Sequence, residues 1–242
     1  MTNSLRLQQL VKLVDITRLE DNDNNPAFDA WLSALPKLPY AAYCVYPEYL
    51  PVLVQNKSHL KNANLATVVN FPTGDLATDI VCEQIQLAIQ AGATEIDCVL
   101  PYKALMRGEH GIVKNFLYDI RQACGDLCLK IIIESGELIT AQQVAKAAEL
   151  AIECGADFIK SSTGKVTFGI SEEAARIILT VIAAAERTVG FKASGGIRTV
   201  EQAINLIQLY EQITGQIATC ATMRIGASSL ITELVKQLEQ ST

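Results

Sequence analysis

Residues Thr140–Lys165 read "TAQQVAKAAELAIECGADFIKSSTGK". The first part opens on Thr, repeats its apolar residues at helical spacing and stops at Gly155, which are the start and stop signals of an amphipathic helix. The period then changes: Phe158 and Ile159 are apolar, Lys160 follows them, and Gly164 punctuates a polar loop. A helix, a tight turn and a short buried strand form part of a βα rhythm, and the same alternation continues in both directions. Strands are expected at Leu13–Thr17, Ala41–Tyr46, Ala66–Phe71, Glu95–Leu100, Leu129–Glu134, Phe158–Ser161, Val189–Ala193 and Met223–Ile225. Helices are expected between them, in "TDIVCEQIQLAIQAG", "TAQQVAKAAELAIECG", "SEEAARIILTVIAAAE" and "TVEQAINLIQLYEQITG"; three open on Thr or Ser with Glu or Gln nearby, and three end at Gly. Eight strands with intervening helices match a closed (β/α)8 TIM barrel, preceded by a short N-terminal helix. An open doubly wound sheet would carry fewer strands and a glycine-rich first turn. The loops "LEDNDNNPAF" and "LPKLP" are too short to separate domains, so residues 1–242 are expected to form a single domain.

Composition narrows the function. Half of the residues are hydrophobic and 19% are charged, which suits a sizeable core. A net charge of −6 with no run of Lys or Arg excludes a nucleic-acid or membrane-surface footprint, so any anionic ligand must be met by a local pocket. The longest apolar run, "IILTVIAAA", falls well short of the roughly 20 residues of a membrane helix, and the N-terminus lacks the apolar core of a signal peptide. The seven cysteines are odd in number and scattered through apolar segments, as expected of reduced thiols in a cytoplasmic protein. With only His59 and His110 in the chain, no metal site is expected.

A strand buried on both faces has no place for a charge without a reason. Alternation in "DFIKSST" turns Lys160 inward with Phe158 and Ser162 if Ile159 faces the helices, and in "VGFKASGG" it turns Lys192 inward while Phe191 packs outward. In "CLKIIIE" the same parity groups Lys130 with Ile132 and Glu134. In "EIDCVL" it aligns Asp97 with Glu95 and Val99, and in "LVDIT" it aligns Asp15 with Thr17. Three lysines and two aspartates thus converge on one polar interior. Ion pairs that merely fill the barrel would explain any single lysine. Two lysines on adjacent strands are different, because burial and mutual repulsion favour a neutral amine. Such an amine can condense with an aldehyde to a Schiff base, and a carboxylate such as Asp97 can move the protons.

Lys165 lies past Gly164 in the loop, where a hydrated ammonium suits an anion. Gly195 and Gly196 in "ASGGIR" can present backbone N–H groups, and Gly226, Ser228 and Ser229 in "IGASSLITELV" open a helix. Loops after strands 7 and 8, with a helix N-terminus, are where barrel enzymes hold phosphate. Arg198 is equally suited to solvent, Cys44 reads as a small buried thiol, and Trp31 reads as core with Phe28 and Leu35.

Taken together, "FIKSSTGK", "GFKASGGIR", "EIDCVLPY", "KIIIESGEL" and "RIGASSL" resemble the deoxyribose-phosphate aldolases, a class I family, from about Val14 to Leu230. The resemblance implies that Lys160 forms the Schiff base, that Lys192 keeps it uncharged, and that Asp97 takes part in proton transfer. It makes Asp15 and Lys130 a supporting network, and it has Gly164, Lys165, Gly195, Gly196, Gly226, Ser228 and Ser229 hold phosphate. The implied reaction is reversible cleavage of 2-deoxy-D-ribose 5-phosphate to D-glyceraldehyde 3-phosphate and acetaldehyde in deoxyribose catabolism. It needs no cofactor, and a homodimer or homotetramer is expected. Some members end in a tail whose tyrosine reaches the site, whereas this chain ends in "EQST", so proton transfer is expected to rely on Asp97 and water.

Overall fold

The computed structural model describes residues 3–61 and 63–241. Eight parallel strands, β1 (Val14–Arg18), β2 (Ala42–Val45), β3 (Asn64–Val69), β4 (Glu95–Val99), β5 (Cys128–Ile132), β6 (Phe158–Lys160), β7 (Gly190–Ala193) and β8 (Met223–Ala227), pair in sequence order. β8 returns to β1 and closes the barrel. All eight lie where the alternation predicts them, with shifts at their ends. The helix α1 (Asn3–Leu13) precedes β1, and α2 (Asn25–Ala34), α3 (Leu50–Gln55), α4 (Thr78–Gln90), α5 (Tyr102–Met106), α6 (His110–Cys124), α7 (Ala141–Glu153), α8 (Glu172–Ala183), α9 (Val200–Thr214) and α10 (Leu230–Gln240) follow in the connections.

Local chemistry explains the helix ends. Thr140 and Thr199 accept from the N–H of Gln143 and Gln202, whose side chains reach back to the cap, and Ser171 accepts from Ala174. These bonds, reciprocal at Thr140 and Thr199, satisfy N–H groups that the first turn leaves without a partner. Thr78 differs: it lies inside α4, whose N-cap Ala77 has no side-chain bond. Gly215 closes α9 in the left-handed region at φ 70°, a conformation that costs glycine nothing.

The two faces of the strands have different fates. Ile131, Ile159, Phe191 and Ile225 are wholly buried in the core shared with the helices. Inside, a separate small cluster of Leu19, Ala42, Cys44, Ala66 and Val68 lines the β2–β3 side of the lumen. The short side chains there leave volume for long ones from the opposite strands, and the lysines and an arginine take it. At the floor, Gly190 makes room for Phe158, because a Cβ would sit 2.2 Å from its ring. The Arg224 guanidinium stacks 5.3 Å from the centre of that ring. Trp31 is half-buried against Phe28 as expected, and His59 and His110 are exposed. Among the described residues, no helix is long and apolar enough to cross a membrane.

Candidate active site

Strand register sets the charges side by side. Lys160 pairs in register with Lys192, Lys192 with Arg224, and Asp97 with Lys130. Three cationic side chains therefore follow one another around the barrel wall at one level, which is tolerable only if carboxylates reach them from across the lumen. They do. Asp97 meets Lys130 with Oδ1 at 2.8 Å, and meets both Lys160 and Lys192 with Oδ2, at 2.8 and 2.7 Å. Asp15 takes Lys192 at 2.6 Å and Arg224 at 2.8 Å, while Glu95 takes Lys130 at 2.5 Å and Arg224 at 2.9 Å. Cys44 faces this network, its thiol 3.9 Å from Asp97 Oδ2.

The network holds four basic groups, Lys130, Lys160, Lys192 and Arg224, against three carboxylates, Asp15, Glu95 and Asp97. Lys130, Lys192 and Arg224 each bridge two carboxylates. Lys160 alone has one partner, on an oxygen that it shares with Lys192. Burial would raise both aspartates, yet Lys192 and Arg224 hold Asp15 below the usual carboxylate range, and Lys130, Lys160 and Lys192 hold Asp97 well below it. Burial would likewise lower the lysines, but Asp97 and Glu95 hold Lys130 well above the ordinary ammonium value, and Asp15 and Asp97 hold Lys192 above it. Lys192 is thus held in its charged form. At Lys192 the carboxylates Asp15 and Asp97 outweigh both burial and the repulsion from Lys130, so this lysine is not the neutral amine.

Above this network, a cavity of about 330 Å³ opens at the C-terminal end of the strands. Lys160 and Lys192 line it, together with Gly164, Lys165, Gly195, Gly196, Gly226, Ser228 and Ser229, as well as Thr17, Glu20 and Arg198. Asp15, Asp97 and Lys130 do not line it and lie fully buried beneath. The N–H groups of Gly195 and Gly196 donate to no acceptor among the described residues. Those of Gly164 and Lys165 donate to Ser162 Oγ and Thr163 Oγ1. Gly226 belongs to β8 rather than to the opening of α10. Its bare Cα leaves room for Ser194, since a Cβ would lie 2.9 Å from Ser194 Cβ. The Lys165 ammonium is engaged by Asp21 at 2.7 Å.

Reading the strands one by one missed three contributors. Arg224 stands between Met223 and Ile225 with the same inward parity as Lys192, so the alternation already contained it. Glu95 was aligned with Asp97, but its part in the network depended on knowing Arg224. Glu134, wholly buried just past β5, accepts from the hydroxyls of Ser162 and Thr163 and from the Thr163 N–H. It ties down the loop that follows Lys160. Among the described residues, no group of three or more His, Cys, Asp or Glu is placed to hold a metal ion.

Comparison with known proteins shows the family and the fold. The description "DeoC/LacD family aldolase" matches residues 20–230. A Coccidioides immitis protein assigned as a deoxyribose-phosphate aldolase superposes with a TM-score of 0.84 at 26% identity, over 96% of this chain and 86% of that one. QR15, named as an aldolase, superposes with a TM-score of 0.82 at 28% identity, over 96% and 97%. The tetrameric deoxyribose phosphate aldolase of Aeropyrum pernix shares the fold, with a TM-score of 0.70 at 22% identity over the whole of both chains.

Proposed function

Because the chain belongs to the DeoC/LacD aldolase family, we propose that it cleaves 2-deoxy-D-ribose 5-phosphate reversibly to D-glyceraldehyde 3-phosphate and acetaldehyde through a Schiff base on Lys160. The observation that carries this reading is the single cavity that joins Lys160 and Lys192 to Gly195, Gly196, Ser228 and Ser229. A nucleophile and an anion cradle thereby face one small substrate. Of the four basic groups set against three carboxylates, Lys160 is the least tied, with half a share of one oxygen, and it lines the cavity where the aldehyde would sit. Its free amine adds to the C1 aldehyde and loses water to form an iminium. Removing the C3 hydroxyl proton sends the C2–C3 electrons into that iminium, which releases D-glyceraldehyde 3-phosphate and leaves an enamine. Protonation at C2 and hydrolysis then free acetaldehyde and the lysine. Lys192, charged and facing the cavity, donates to the departing hydroxyl of the first adduct. Asp97 takes up protons transiently through its bond to Lys160, with water completing the relay.

The phosphate end rests on the N–H groups of Gly195 and Gly196, the N-terminus of α10 with Ser228 and Ser229, and the Lys165 ammonium. Gly195→Ala tests this end. Gly195 has φ 91°, and a Cβ would lie 2.9 Å from Ser162 Cβ. Strain of about 1–3 kcal/mol should raise KM for the phosphorylated sugar about tenfold, with a smaller change for unphosphorylated 2-deoxyribose. Equal effects on the two sugars would place the phosphate elsewhere.

Reduction with borohydride in the presence of acetaldehyde tests the whole reading, because an ethyl group should map to Lys160. Labelling only with a ketone donor would favour an aldolase acting on a keto sugar phosphate instead. Lys192→Ala should abolish most of the labelling as well as turnover. With three basic groups left for three carboxylates, Lys160 becomes the necessary counter-ion of Asp97 and no longer supplies a free amine. An unmoved pH-rate profile in that variant would sink the charge-balance argument. We also place the reaction in the cytoplasm, in deoxyribose catabolism. Self-association as a dimer or tetramer fits the exposed Ile80 and Leu87 of α4 and Tyr118 of α6, and sedimentation would expose a monomer.

A further inference from the structure

Beside the cavity, which Lys165 lines, Lys165 in the loop after β6 and Asp21 in the loop after β1 meet at 2.7 Å, although 144 residues separate them. The same carboxylate oxygen, Oδ1, also accepts from the Tyr46 hydroxyl at 3.0 Å. Tyr46 follows the end of β2 and packs edge-on against Phe71, with ring centres 6.0 Å apart, which anchors the hydroxyl that holds Asp21. Asp21 is therefore fixed from the barrel side independently of Lys165. The Lys165 side chain is 24% exposed and the Asp21 side chain 70%, so the pair sits where a solute can reach it. The carboxyl of Asp21 lies below its ordinary value, first through the bond from Lys165 and then through that from Tyr46, and it is charged throughout the neutral range. Glu20, its neighbour, lines the same cavity. An acidic loop thus borders the end of the cavity that is meant to take an anion.

Resting on the reading that Lys165 faces the substrate phosphate, we propose that Asp21 is a specificity-determining residue: a fixed counter-ion that an incoming phosphate must displace from Lys165. An exposed ion pair is weak, so a phosphate ester already anchored at Lys160 and at the Gly195–Gly196 turn displaces it readily. A small free anion can meet the Gly195–Gly196 turn but has no tether at Lys160, so it has less to set against the exchange at Lys165. Asp21 thereby raises the threshold against ambient anions while leaving the tethered substrate bound. When product leaves, Asp21 is still held by Tyr46 and recaptures the ammonium.

Steady-state kinetics on the full chain test this, using 2-deoxyribose 5-phosphate, unphosphorylated 2-deoxyribose, and inorganic phosphate as competitive inhibitor. Asp21→Asn should lower the Ki of inorganic phosphate about two- to fivefold. KM for the phosphorylated sugar should fall by a smaller factor, with kcat and all constants for the unphosphorylated sugar unmoved. Lys165→Met should raise KM for the phosphorylated sugar, and adding Asp21→Asn to it should change nothing further, because Asp21 acts only through Lys165. If Asp21→Asn leaves Ki unchanged or raises it while Lys165→Met still raises KM, the exchange is refuted and the phosphate reading survives. If Lys165→Met leaves KM unmoved, both are overturned.

Discussion

Lys160→Ala is expected to yield a folded protein that cleaves no sugar phosphate and retains no ethyl group after borohydride reduction with acetaldehyde. Losing a buried lysine is usually costly because its partner is left charged and alone. Here the partner is not alone. Asp97 keeps Lys130 on Oδ1 and Lys192 on Oδ2, and the remaining Lys130, Lys192 and Arg224 balance Asp15, Glu95 and Asp97 one for one. Thermal unfolding should therefore stay within a few degrees of the parent, while turnover falls below detection because no other amine in the cavity is free to add to the aldehyde. Lys192 lines the cavity too, but Asp15 and Asp97 keep it protonated. Residual turnover with the label moved to Lys192 would reverse the assignment of the two lysines.

Asp97→Asn should do the opposite, damaging the fold as well as the chemistry. It leaves four basic groups around two carboxylates and removes the acceptor shared by three lysines. Breaking a buried network from one side costs about 3–5 kcal/mol, which for a chain of this size is a drop in melting temperature of about 10 °C. The pH dependence has a definite sign. Asp15 and Asp97 sit below their ordinary values in the fold, so their stabilisation is complete above about pH 3.9 and is lost as pH falls through the folded values. Lys130 and Lys192 sit above theirs, so their stabilisation is complete below about pH 10.4 and is lost only as pH rises through the still higher folded values. The parent should hold a broad plateau between these limits, and Asp97→Asn should lower the plateau and weaken its acid edge. A variant as stable as the parent by urea titration would mean that the network contributes nothing net.

How much of the site was legible depended on the range of the signal. The inward turn of Lys130, Lys160, Lys192, Asp15 and Asp97 follows from a period of two, which any five residues of a strand carry within themselves. The caps at Thr140, Ser171 and Thr199 are equally local. Gly226 misled because "GASS" suits a helix opening, yet strand pairing with β1 extends β8 through Ala227. Gly164 lines the cavity, but that its N–H meets Ser162 Oγ, a hydroxyl oriented by Glu134 from the loop after β5, is a contact that spacing along the chain does not show.

From the chain of residues alone came the eight-fold βα rhythm, the inward charges and a family resemblance, because periodicity and motif are written in contiguous sequence. Barrel closure decided the rest. It brought Asp15 and Arg224 of neighbouring β1 and β8 against Glu95, Asp97 and Lys130 of β4 and β5. It singled out Lys160 as the cation with the poorest share of negative charge, and it set Asp21 on Lys165. Ion-pair energies depend on distances across the lumen, and no spacing along the chain encodes those.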